Sequence, residues 1–579
     1  MRPQKKLISI NIIVKVLATL AEVVLPVILA YIVDDLAPSK NIKAVYYWGG
    51  LMIVLSLLAW VLNITANRMA SKASSVAIQN IRQDLFERSM HLSAKQIDKI
   101  GISSLESRLT SDTYVIHRFL GATLRMGLRS LMLFFGGVVF SVYLSPRLSL
   151  VLIFLIVPLV FVIRYIFSKA MPLFRKVQRS VDNMVQIIRE SIRGIKVAKA
   201  LDKVDYEKER YFDASKTVSQ SEIKAVDQMA MMGPIVNTIL YGGLTIVMIW
   251  GSRLINNGVL QVGVIIAFTS YFIQITNSLM MMNRMVNMYN RSLASTQRIS
   301  EVIDMPIDEN QIIEEEIDLP ASNPLVPEIE FKEVSFSYLG VTNDIDKVSF
   351  KLYPGDTLGI MGATGSGKST IVRLLLRQYD VDQGEILVRG VNIKKLSHKQ
   401  LNRLFGSVFQ NDFLYRGSIR ENVDFGRDIE DQELLTAASH AQALEFLKSK
   451  EGGLDFELAS KGVNLSGGQK QRLLLTRAFA SDPDILILDD SSSALDFRTD
   501  SKLRKALQDY YKDTTSIIVA QRVSSVLHAK QIMFLDEGKI QAIGSHEELL
   551  EQSDAYREIA SMQMGNLDEY EGEEDLAWN

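Results

Sequence analysis

Apolar residues gather in six long runs in the first half of the chain, whereas the second half alternates short strand-like and helix-like segments with charges throughout. The runs cover about Leu7–Val33, Ala44–Ala66, Gly127–Leu144, Leu148–Phe167, Met231–Ile255 and Val262–Met282, each near the roughly 20 residues a helix needs to cross hydrocarbon. Two connections are long, basic and helical in period: IQNIRQDLFERSMHLSAKQIDK after the second run, and the stretch from FRKVQRSVD to DYEKER after the fourth. The connections near Asp34, Ser145 and Asn257 are short. Lysine and arginine concentrate at the N-terminus and in the long connections, so the positive-inside rule places both chain ends and both long segments in the cytoplasm of a cell-membrane protein. The opening MRPQKK followed by an apolar run resembles a secretory signal, but the run is too long and lacks a small-residue cleavage site; it reads as a first span.

Polar residues interrupt these spans: Lys15, Glu22 and Asn63, with Arg164 near a span end. Ionisable groups in hydrocarbon are costly and face a cavity or a partner helix, unless a long side chain snorkels to the interface. LMMMNRMVNM, Leu279 to Met288, is read as packing, although flexible thioethers also suit an adaptable apolar surface. A length of 579 residues requires more than one domain. The net charge of -2 supplies no basic face for nucleic acid. Cysteine is absent, which excludes disulfides and thiolate metal sites.

Residues 301–328, ending in a Pro- and acid-containing stretch, read as a linker between a membrane domain at 1–300 and a soluble domain at 329–565. The strand-like DTLGIM leads into Gly362, Ala363, Thr364, Gly365, Ser366, Gly367, Lys368, Ser369 and Thr370, and then a helix-like run. This is a P-loop in its required context. Glycines let backbone N–H groups close on phosphate oxygens, Lys368 reaches the terminal phosphates, and Ser369 offers a hydroxyl to Mg2+. ATP and Mg2+ are the expected cofactors. ILILD then reads as a buried strand ending in Asp489, a Walker B carboxylate that holds Mg2+.

NLSGGQKQR, Asn464 to Arg472, lies between these elements. With it the chain resembles the ATP-binding cassette exporters, from the first span to about residue 565. The resemblance implies six transmembrane helices fused to an α/β P-loop nucleotide-binding domain. It further implies adenine stacking by Tyr338, Mg2+ contact and membrane-domain sensing by Gln410, a signature formed by Ser466, Gly467, Gly468 and Gln469, and a dimer-contact loop at Asp496. SRLTSDTYVI at Ser107–Ile116 is similar to the family's first coupling segment, and Arg189–Ala200 to the start of its second. ATP would be sandwiched between the P-loop of one cassette and the signature of another, so a second subunit is expected.

Two positions depart from the family. Asp490 stands where active cassettes carry Glu, and Gln521 where they carry a switch His. The shorter acid withdraws its carboxylate from the attacking water, a loss of about 10²- to 10⁴-fold for a misplaced base, and an amide cannot titrate. Ser460 stands where a Glu is usual ahead of the signature, which bears on how the ATP signal crosses the dimer. The pattern resembles the degenerate-site subunit of heterodimeric multidrug exporters: the partner would supply the Glu and His, this chain the working signature, and the cargo would be amphipathic small molecules. A lipid exporter, a regulatory ATP-binding subunit and a homodimer are the alternatives. The acidic tail LDEYEGEEDLAWN, Leu567–Asn579, is expected to stay solvated.

Overall fold

The computed structural model describes residues 5–306, 316–410, 412–491 and 494–564. The chain divides into two compact units. The first comprises α1 (Lys5–Tyr31), α2 (Ile42–Met90) and, after a short helix α3 (Ala94–Ile100) that belongs to the second unit, α4 (Ile102–Ser107), α5 (Thr113–Ala122), α6 (Leu128–Leu144), α7 (Pro146–Arg193), α8 (Ile195–Ala200), α9 (Val204–Ala230), α10 (Met232–Asn256) and α11 (Val262–Ile303). Six helical stretches among the described residues are long and apolar enough to cross a membrane. The sequence runs are only their apolar parts: the third run, expected from Gly127, belongs to a helical stretch Ile102–Leu144, and α2 continues for 49 residues. Large apolar side chains such as Trp60, Phe154 and Phe161 are exposed on this unit, as a lipid-facing surface requires.

Small residues let the helices approach. Ala59, Ala66, Ala70, Ala73 and Ala77 of α2 are buried at helical spacing, and Ala18 of α1 is fully buried. At Gly243 a Cβ would fall 2.5 Å from Leu155 Cδ1 and 2.9 Å from Phe272, so a larger residue would force those side chains to shift. Asp34 closes the start of α11 by accepting from the backbone N–H of Gly263 (2.5 Å) and Val264 (2.9 Å), replacing a cap that Gln261 does not provide.

The intramembrane polar residues form one network rather than snorkelling. Lys15 is 2% exposed and donates to the side-chain oxygens of Asn63 (2.9 Å) and Asn67 (3.1 Å). Asn63 in turn donates to Glu22 at 2.6 Å, and Glu22 accepts from Arg129 at 2.9 Å. Arg164, in contrast, is exposed. In the methionine stretch, Met280 packs beside Leu159, Ile163 and Val236, while Met282 and Met285 line an apolar cavity of about 470 Å3 with Ile12, Phe119, Leu128 and Tyr289.

The second unit comprises residues 91–102 and 306–579. Its strands are β1 (Ile329–Phe336), β2 (Ile345–Leu352), β3 (Thr357–Gly362), β4 (Gln383–Val388), β5 (Val391–Asn392), β6 (Phe405–Val408), β7 (Gly417–Ser418), β8 (Glu457–Leu458), β9 (Ile485–Asp489), β10 (Thr515–Val519), β11 (Gln531–Asp536) and β12 (Lys539–Gly544). An antiparallel sheet β2-β1-β4-β5 accompanies a sheet β12-β11-β3-β10-β9-β6. In the latter, β6, β9, β10, β3 and β11 run parallel. Such strands are buried on both faces and read as continuous apolar runs, which is why ILILD carries no alternation.

The predicted boundaries therefore shift. Residues 91–102, expected within the membrane domain, cluster with the cassette, and α11 carries the membrane unit through Met305. Residues 107–116, expected as the first coupling segment, lie in the membrane unit, where Asp112 accepts from Ser295 and from Arg298 Nε, both at 2.8 Å. Arg189–Ala200 lies in that unit as well. Part of the predicted linker, 307–315, and the acidic tail fall outside the described residues.

Because Asn63 satisfies both Lys15 and Glu22, Asn63→Leu should destabilise the membrane-embedded chain by about 1–2 kcal/mol. Arg164→Leu should leave stability unchanged. Thermal unfolding of both variants in lipid nanodiscs measures the difference.

Candidate nucleotide site

The carboxyl ends of β3, β9 and β10 converge on a cavity of about 270 Å3 lined by Thr364, Gly365, Gly367, Lys368, Ser369 and Thr370, by Gln410, Asp489 and Asp490, and by Asp344, Val519, Ala520 and Gln521. The loop that leaves β3 turns back into the helix Lys368–Leu375 through Gly367, whose φ is +100°. A Cβ there would sit 2.7 Å from Ile345 Cδ1 and 2.9 Å from the Asp344 carbonyl, so glycine is required on both counts. The backbone N–H groups of Gly365, Gly367, Lys368 and Ser369 have no backbone acceptor among the described residues. The buried Ser366 hydroxyl likewise has none. Free donors around a cavity at a helix start are the chemistry of a phosphate cradle.

Lys368 folds over this loop, donating to the carbonyls of Gly362 (2.8 Å) and Ala363 (2.7 Å). Burial lowers the pKa of its ammonium, and Asp489 and Asp490 partly restore it. Asp489 ends the fully buried β9. Its carboxyl is held above the ordinary aspartate range, first by burial and then by the charge of Asp490, against the Ser369 hydroxyl bond and the cations Arg373 and Lys368. Ser369, Asp489 and Gln410 present hard oxygen donors, a set that suits Mg2+ with water completing its shell.

Asp490 adopts φ +52°, donates its N–H to Val519 at 2.9 Å, and accepts from Gln410 Nε2 at 3.4 Å. Gln521 reaches the same cavity wall, its carbonyl accepting from Gln563 at 3.0 Å. Tyr338 stands outside the lining. Arg373 donates to its hydroxyl at 3.2 Å and lies 6.0 Å from its ring centroid. Gly362 and Ala363 take part through the carbonyls that hold Lys368.

The signature residues lie elsewhere. Ser466 caps the helix Gly467–Phe479 in a reciprocal box with Gln469, with bonds of 3.3 and 3.1 Å. Asp496 caps the helix Phe497–Tyr510, accepting from the backbone (2.9 Å) and hydroxyl (2.8 Å) of Thr499. Those bonds hold its carboxyl below the ordinary range. Sequence reasoning missed Asp344 and Arg373. The strand order alone brings the loop before β2 against the P-loop, and no motif marks either residue.

Residues 8–279 match the description "ABC transporter transmembrane region" and residues 345–493 "ABC transporter". The ABC transporter ATP-binding protein YfiB of Bacillus subtilis (strain 168) is 32% identical over 567 residues, covering 98% of both chains. This chain belongs to the ABC transporters. Rv1273c of Mycobacterium tuberculosis, named an ABC transporter ATP-binding protein, is 30% identical over 97% of both chains. YgaD of Bacillus subtilis, provisionally named a multidrug export ATP-binding/permease protein, is 28% identical over 97% of this chain and 98% of its own. A bacterial Atm1-family ABC exporter solved with ATP bound shares the fold, with a TM-score of 0.79, 23% identity, and 97% and 98% coverage. The protein is thus a multi-pass ABC transporter with an exporter-like fold, and its cassette belongs to the family that binds ATP and couples ATPase activity to transport.

Protonated Asp489 cannot serve a cation, and its pKa is raised. The Mg2+-dependent gain in nucleotide affinity should therefore be complete above that raised value. As pH falls through it the gain should fade by about tenfold per unit, starting at a higher pH than an ordinary aspartate would give. Binding titrations with Mg2+ and with EDTA across the acid range test this: the gap between the two curves should close as the pH falls, and Asp489→Asn should remove most of that gap at every pH.

Proposed function

We propose that this exporter subunit is the degenerate-site half of a heterodimer that moves amphipathic small molecules across the cytoplasmic membrane, with its N-terminus and cassette on the cytoplasmic side. MgATP would be held by the loop Gly362–Thr370, with Lys368 on the terminal phosphates, Ser369, Gln410 and Asp489 toward the metal, and Tyr338 beside the adenine. The supporting observation is that Asp490 and Gln521 line the same cavity as Lys368, and that the Asp490 carboxylate is already engaged by the Gln410 amide. A carboxylate one methylene short and so engaged is poorly placed to orient an attacking water. The backbone adds a reason for aspartate, because a left-handed φ is tolerated better by Asp than by longer side chains.

The signature retains what a partner would need. Ser466 and the Gly467–Gly468 backbone start a capped helix and could grip a γ-phosphate on the partner's P-loop, with Asp496 at the dimer contact. The Gln469 side chain is occupied in the capping box, so its contribution is to shape that helix start. The name of YgaD supports a multidrug cargo.

Purified alone, the chain should hydrolyse ATP at least about 100-fold more slowly than the assembled pair. In the pair, Asp490→Glu should change turnover less than twofold, whereas the double change with Gln521→His should raise it. Brisk ATPase activity of the isolated chain, abolished by Asp490→Ala, would refute the assignment. Lys368→Ala should stop ATP-dependent flux in proteoliposomes; unaltered flux would point to a purely regulatory subunit.

A further inference from the structure

We infer that the cassette carries a second ligand site, at the pole opposite the nucleotide cavity, that takes a small organic anion: one carboxylate or phosphate group on an apolar body. In a parallel sheet ligands collect at the carboxyl ends of the strands, and the nucleotide cavity obeys that rule. A cavity of about 220 Å3, close in size to the nucleotide cavity of about 270 Å3, opens instead at the amino ends of β3 and β10. Its wall includes Gly355 and Thr357 at the start of β3 and Ser516 at the start of β10. Thr357 and Gly362 stand at the two ends of β3, which at about 3.3 Å per residue are roughly 17 Å apart. Both sites can therefore be filled at once.

The lining is divided by chemistry. Leu507, Ile518 and Ala529 give it an apolar wall. Tyr511 adds ring surface, since its hydroxyl is already engaged with His440 Nδ1 at 3.1 Å and its ring stacks on Phe479. Against this wall stand Arg504, Lys512 and His528, and among the described residues no carboxylate lines the cavity. The helix Phe497–Tyr510 brings Arg504, Leu507 and Gln508 to one face by their spacing of three and four. Two acids beside the cavity are already neutralised: Asp500 pairs with Arg504 at 2.9 Å and Asp356 with Lys530 at 2.8 Å. Asp509 and Asp513 neighbour the lining in the chain but form no part of it. Arg504 is fixed further by donating to the Ser524 carbonyl, and its buried Nε–H is left without an acceptor among the described residues. The side chains of Lys512 and His528 form no hydrogen bond or ion pair among those residues. A buried donor without an acceptor calls for a partner. An amphiphilic anion answers the whole lining, because its charged oxygens take the unspent donors while its body covers the apolar wall.

Photolabelling of the full chain in lipid nanodiscs with 4-azidobenzoate tests the inference. Label should map to the peptides covering residues 504–512 and 525–529, saturate with probe concentration, and persist in saturating MgATP. Benzoate or phenyl phosphate should compete, and the stronger of the two identifies the charged group. Benzamide and benzylamine keep the ring without a negative charge and should not compete. Lys512→Gln combined with His528→Gln alters two exposed side chains that bond nothing else among the described residues. It should keep the ATP Kd within about twofold and lower labelling more than about fivefold, whereas Lys512→Arg should retain labelling. Label confined to other peptides, equal competition by benzamide, loss of label in MgATP, or full labelling of the double variant would overturn the site. None of these results bears on the heterodimer assignment, from which the site is independent.

Discussion

A carboxylate at the end of a strand with no exposed residue is the constraint on which the cassette depends. Asp489 closes β9, all five residues of which are buried, and an isolated charge there would be expelled or neutralised. The surroundings are arranged to keep it useful. Ser369 donates to it, Lys368 and Arg373 lie within electrostatic reach, and both flanking strands run parallel to β9, so that their ends face the same cavity. The P-loop occupies the neighbouring position at the end of β3, which pairs with β10 in turn. Lys368, Ser369, Asp489 and Asp490 thus line one cavity because parallel strands deliver their carboxyl ends to one side. The raised pKa of Asp489 and the P-loop N–H groups that lack backbone acceptors are two sides of one arrangement: each is unfavourable alone and complementary to a magnesium-bound polyphosphate.

The membrane unit solves a similar problem without a ligand. Lys15, Glu22 and Arg129 would each be costly in hydrocarbon, and the amides of Asn63 and Asn67 join them into a continuous network across three helices. Asp34 performs the corresponding service for the backbone, supplying acceptors to a helix start that would otherwise expose donors to an apolar medium. In both units, polar groups away from water persist where their partners are supplied from a different element, which ties the elements together more specifically than apolar contact does.

How far the sequence could be read follows from which signals are local. The six spans were legible because their composition changes sharply at the membrane depth. Their polar helical extensions were not, since the 49 residues of α2 continue in helical period after the apolar signal ends. The P-loop, Walker B strand and signature were legible because packing alone seldom demands a glycine-rich turn between strand and helix, or an apolar run that stops at an aspartate. The structure brings Lys368, Ser369, Gln410, Asp489, Asp490 and Gln521 to one cavity and leaves Ser466 and Asp496 as helix caps. Helix α3 was hidden inside a basic, helical-looking connection. Its capping box, Ser93 with Gln96, and the stop at Gly101 were present to be read, but nothing local shows that the segment associates with the cassette. Asp344 and Arg373 carry no local mark, because the fold of the sheets places them.

The left-handed backbone at Asp490 bears on how a degenerate site is kept. A glutamate at this position would carry the same backbone strain with a longer side chain, which is justified where its carboxylate orients water. Once hydrolysis is supplied by the partner, as proposed, aspartate relieves part of that conflict and still accepts from Gln410. A site so built favours a retained nucleotide over rapid turnover.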